Sequence, residues 1–231
     1  MGDGKKIERN ILLFTCLGHA MTHVYIHLFT AIQPEIRSSF DGLGTEELTG
    51  LASISLVLFG VGAIPAGWLS DRYGEKPLLL AFFFLSAAGG ALVGFASNTW
   101  QLAAGFALIG LGTSIYHPVG LALISKGISR PARAMGINGL FGSLGTALSP
   151  LAARQITHWT GDWRWAFIGL AVPMIAMAFL LGISDTGGKR DSDAASEESA
   201  PQAGRVSIVG LLLTAMLFGG IYYSLIITML P

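Results

Sequence analysis

Long apolar runs separated by short polar segments dominate the chain, at roughly 11–36, 48–69, 77–97, 100–124, 134–156, 163–183 and 206–231. Each approaches or exceeds the ~20 residues that an α-helix needs to cross a hydrocarbon core. Helices satisfy their own backbone hydrogen bonds in lipid, so the pattern predicts an all-α membrane protein built as a helical bundle. The expected organisation is a polar N-terminus at 1–10, six transmembrane helices over 11–183, a linker at 184–205 and a seventh helix beginning at 206–231. The linker, SDTGGKRDSDAASEESAPQAGR, mixes small, polar and oppositely charged residues and reads as a solvated tether.

The interruptions inside the runs carry the chemistry. Run one holds His19, His23 and His27, whose spacing of four puts them near one helical face. Ionisable groups at membrane depth usually face a bundle interior or a water-filled cavity. Three imidazoles on one stripe suit proton relay, hydrogen bonding to a polar substrate or metal binding, and equally suit neutral histidines bonded to neighbouring backbone. Pro34 is expected to loosen the outer end of this helix. Run three has no charge, and its Phe82, Phe83 and Phe84 predict a helix facing lipid on all sides.

Run four is interrupted by Tyr116, His117 and Pro118, at a depth that matches His19 to within about 5 Å at 1.5 Å per residue. A polar cluster across two helices is therefore expected. In run five Gly136, Gly139, Gly142 and Gly145 recur at near-helical spacing before Ser149 and Pro150, a pattern that favours close helix packing. Asn138 on the same helix needs a polar partner. After it, Trp159, Asp162, Trp163, Arg164 and Trp165 form an aromatic, charged turn expected to anchor at the membrane interface.

Composition agrees with a bilayer protein: of 231 residues 52% are hydrophobic and 12% charged. Fourteen basic and fourteen acidic residues cancel, and nothing in their balance points to nucleic acid. Their distribution is more informative. With a cytoplasmic N-terminus, only Arg37, Arg154 and Arg164 of the 14 Lys and Arg fall on the outer side, which is the positive-inside bias. The single cysteine, Cys16, excludes an intrachain disulfide or a cysteine metal cage. No nucleophile–base set, phosphate loop, cofactor motif or assigned metal-ligand set appears, so an enzyme is not expected.

Between runs two and three lies GWLSDRYGEKP, residues 67–77, a tight charged hinge punctuated by glycines. Its Gly67, Leu69, Asp71, Arg72, Gly74 and Lys76 resemble the signature loop after the second helix of major facilitator superfamily transporters. The segment around Pro34 is also echoed around Pro231, sharing a leucine and the proline, as in transporters built from repeats. The whole chain resembles the N-terminal six-helix half of such a transporter plus the start of helix seven. Tyr116-His117-Pro118 and the histidine-rich first helix are similar to bacterial members related to fosmidomycin-resistance exporters. Ser149-Pro150 departs from the Gly-Pro order of the exporter motif.

The resemblance implies that His19, His23, His27, Tyr116, His117 and Asn138 line a substrate or proton cavity. It also implies that Gly67, Asp71, Arg72, Gly74 and Lys76 form a gating loop, and that Gly139, Gly142, Gly145 and Pro150 pack helices. The function implied is secondary active transport by alternating access of a small polar solute or drug, with H+ as a candidate coupling ion. Such a protein sits in the bacterial inner membrane with its N-terminus inside. A C-terminal half or a second copy of the chain is the expected partner that completes the cavity. The alternatives are a half-transporter or fragment acting as an assembly or regulatory subunit, and a metal permease using the histidine stripe.

Overall fold

A computed structural model describes residues 2–187. The linker beyond residue 187 and the helix expected at 206–231 lie outside the described residues. Among the described residues the chain forms seven helices, six long and one short, with no strand.

The first helix, α1, spans Gly2–Ala31 and so begins nine residues earlier than the apolar run implied. Its first turns are held by polar ties instead of by burial. Glu8 accepts from the Ser129 amide at 2.9 Å, and the Asn10 side chain donates to the Asp185 carbonyl at 2.9 Å. At the far end Pro34 does not kink α1. The helix stops at Ala31, and Pro34 sits in the first turn of a separate short helix, α2, Gln33–Ser38, where a missing N–H leaves no bond broken.

The four helices that follow are α3 (Thr45–Tyr73), α4 (Glu75–Gly94), α5 (Thr99–Gly127) and α6 (Pro131–Thr160). The last, α7, is Arg164–Ile183. α5 lies between α3 and α4 and also touches α1; α1 packs along α6, and α4 against α7. Small residues permit the close approaches. A Cβ added at Gly89 of α4 would stand 2.6 Å from the Ile109 backbone nitrogen of α5.

Among the described residues five helices are long and apolar enough to cross a membrane: α1, α3, α4, α5 and α7. α6 is as long as α1, and one side of it carries a small and polar stripe. Ala134, Asn138, Gly142, Gly145, Ser149 and Ala153 are its buried residues, spaced by three or four, and its Ser149 hydroxyl donates to the Val24 carbonyl of α1 at 2.8 Å.

Two sequence expectations are corrected here. α4 does not face lipid on all sides. Phe82 and Phe83 are fully buried, with Phe82 against Tyr116, and only Phe84 of the three is exposed. A helix apolar all round carries no phase in its sequence, so which face packs is decided by shape. Trp163 is likewise no interfacial anchor: it is 3% exposed, and its indole donates to Ser39 at 2.9 Å, tying the turn before α7 to the end of α2. Trp159 and Trp165 are exposed as expected.

Candidate functional site

The i, i+4 spacing on α1 turns His19 and His23 to the same side, and the helix α5 presents Tyr116 and His117 to them. The rings form a contiguous cluster. His19 stacks on Tyr116 with centroids 5.1 Å apart and meets His117 edge-on at 5.0 Å. His23 meets His117 at 5.7 Å and continues the stack to His27 at 6.1 Å. The expected two-helix cluster is thus present, and α6 joins it as a third wall through Asn138.

A chain of hydrogen bonds orders these groups. The Tyr116 hydroxyl donates to the Thr15 carbonyl at 2.6 Å and accepts from Asn138 Nδ2 at 2.7 Å. His19 Nδ1 lies 2.8 Å from the Asn138 carbonyl. A carbonyl only accepts, so His19 carries its proton on Nδ1 and its Nε2 offers a lone pair. His23 Nε2 is 3.2 Å from that lone pair and therefore donates to it. This leaves His23 Nδ1 as an acceptor, buried and without a hydrogen-bond partner among the described residues. Buried polar atoms are rarely left so.

Beside His19 and His23 opens a cavity of about 160 Å³, lined further by Gly139, Gly142, Ser143 and Thr146 of α6. The glycine ladder therefore divides into two roles. Gly142 is a packing position, since a Cβ there would stand 2.5 Å from His19 Cε1. Gly145 packs directly on the Ala20 backbone. At Gly139 a Cβ would meet nothing within 4 Å among the described residues, and this glycine lines the cavity. Pro150 lies within α6 next to the buried Ser149.

The charged hinge is far tighter than a loop. α3 runs through Gly67, Asp71 and Arg72 to Tyr73, and α4 starts at Glu75, so Gly74 alone separates them. Its φ of +89° is a conformation that side chains oppose. Lys76 donates to the Gly182 and Ser184 carbonyls at 3.1 and 2.8 Å, capping the end of α7. Glu75 pairs with Lys126 at the end of α5 at 2.7 Å. Arg72 lies over the Trp68 and Tyr73 rings, leaving Asp71 exposed.

Several contributors gave no recognisable sequence signal. Gly18 makes room for the Tyr116 ring, 3.0 Å from where a Cβ would stand; Phe59 of α3 meets His117 edge-on at 5.7 Å; Ser143 and Thr146 face the cavity.

The chain as a whole is similar to known proteins. A probable 4-methylmuconolactone transporter of Cupriavidus pinatubonensis is 30% identical over 168 residues, covering 71% of this chain and 39% of the relative. A probable L-galactonate transporter of Escherichia coli is 29% identical over 179 residues, covering 75% and 38%. The chain thus spans less than half the length of these relatives. A solved proton:xylose symporter, XylE, superposes with a TM-score of 0.66 at 17% identity, over 78% of this chain and 45% of that one, and shares the fold. The family model described as Major Facilitator Superfamily matches residues 12–231, nearly the entire sequence, and the chain belongs to that family of membrane transporters.

Proposed function

We propose that this chain forms half of a secondary active transporter for a small polar organic solute, with His19, His23, His27, Tyr116, His117 and Asn138 lining the solute and proton path. The observation that carries the proposal is the buried, unpartnered Nδ1 of His23 next to an open cavity. The cluster contains no carboxylate, so proton coupling through this half rests on imidazole, whose ordinary pKa lies near neutrality. The relatives named for 4-methylmuconolactone and L-galactonate favour an oxygen-rich solute that exchanges hydrogen bonds with imidazole, phenol and amide groups.

In this proposal the basic ends of α1, α5 and α6 face the cytoplasm of a bacterium, and a second six-helix unit, either a C-terminal half or another copy of the chain, closes the cavity. The apolar outer side of α6, with Leu140, Leu144, Leu148 and Leu151 all exposed, supports such a partner or lipid there. Alternating access then rocks the two units about the central cluster. The hinge at Gly74 acts as the gating contact, with Asp71 free to meet the opposite unit.

The test is accumulation or loss of solutes from a panel of sugar acids, polyols and lactones in cells expressing the chain, with and without a protonophore. Movement that requires expression and is abolished by the protonophore is expected. Movement of a panel member that the protonophore leaves unchanged would exclude proton coupling.

A further inference from the structure

We propose that His19, His23 and His117 form a binding site for one divalent first-row transition ion, zinc foremost. One ring nitrogen from each of the three lies within 4.8 Å of those of the other two. Two of them are already at coordination spacing. Zinc bonds imidazole nitrogen at about 2.0–2.1 Å, so two ligands at a tetrahedral angle stand about 3.3 Å apart. The His19 and His23 Nε2 atoms are 3.2 Å apart.

His19 is oriented as a ligand. Its Nδ1–H is held by the Asn138 carbonyl, which fixes the tautomer and leaves Nε2 as the coordinating atom, the arrangement in which a backbone acceptor steadies a metal-bound histidine. His23 adapts by moving its proton from Nε2 to Nδ1, the atom now lacking a partner. His117, edge-on to both rings, completes the set by a side-chain torsion. α1 and α5 are held in register for this by the Tyr116 hydroxyl on the Thr15 carbonyl.

The chemistry selects the ion. Three neutral imidazoles suit zinc, nickel, copper and cobalt, whereas magnesium and calcium require oxygen ligands. The fourth position opens on the cavity lined by Ser143 and Thr146, with room for water or a donor atom of a solute. An ion there takes the lone pairs of His19 and His23 out of proton transfer, so zinc binding and proton carriage exclude one another. The site rests on ligand geometry alone and holds whether or not the cluster carries a solute.

The test uses the full chain, purified in detergent without a polyhistidine tag, stripped with chelator and titrated with Co²⁺ and Zn²⁺. Saturable binding of one Co²⁺ per chain is expected, with the visible absorption of tetrahedral nitrogen coordination, displaced by Zn²⁺. His23→Gln and His117→Gln should each weaken binding by about tenfold or more, while His158→Gln, on the exposed surface of α6, leaves it unchanged. Because a variant that misfolds would also lose binding, X-ray absorption of the unaltered zinc-loaded chain counts the ligands directly, with three imidazoles expected. No saturable binding, a smaller loss in either variant, or two imidazoles or fewer would overturn the site.

Discussion

The hydroxyl of Tyr116 donates to Thr15 of α1 and accepts from Asn138 of α6, so one buried group joins three helices. Asn138 is 1% exposed and serves twice, through its amide to Tyr116 and through its carbonyl to His19. Asn138→Leu keeps the carbonyl and removes the amide donor, leaving the phenol oxygen without its second bond. We expect a loss of about 1–3 kcal/mol, read as a lowered midpoint of thermal unfolding by tryptophan fluorescence in detergent. The two glycines beside the cavity separate packing from lining. Gly142→Val forces His19 off the Asn138 carbonyl and costs about 1–3 kcal/mol by overpacking. Gly139→Ala meets nothing, and the same melting measurement should show it neutral or stabilising by up to about 1 kcal/mol through helix propensity.

At the scale of elements, the junction of α3 and α4 is a single glycine held at positive φ. One residue reverses the chain, and its positive φ excludes a Cβ at little strain. Gly74→Ala should cost about 1–3 kcal/mol, measured as the shift in the same unfolding transition. Glu75→Gln, which removes the surface-side pair with Lys126, should move it by no more than about 1 kcal/mol, since Lys126 is well exposed and the pair is screened. A shift from Glu75→Gln as large as that from Gly74→Ala would mean that charge, and not backbone conformation, sets this junction.

The six long helices among the described residues and the polar face of α1 were legible in the sequence because they are local: run length gives the first, four-residue spacing the second. The meeting of His117 with His19 was legible because both sit at similar depth on helices of known rise. What was not legible depends on shape between helices. The uniformly apolar α4 hides which phenylalanines are buried, and Gly139 and Gly142 look alike until α1 is placed beside them. The break at Ala31 also escaped, since a proline near a helix end is compatible with a loosened turn or with the start of a new helix.

At the scale of the molecule, the described residues place the polar cluster where α1, α5 and α6 converge, with a cavity opening beside it and apolar faces of α6 exposed. Ionisable groups within apolar helices usually face a bundle interior or a cavity, and His19 and His23 border one here. The most direct measurement is the initial rate of solute movement by cells carrying the His23→Gln, His117→Gln double variant, at membrane abundance equal to that of the unaltered chain. A solute path through the imidazoles predicts a fall of about a hundredfold or more, the size typical of losing a positioned proton-transfer group. An unchanged rate would contradict it.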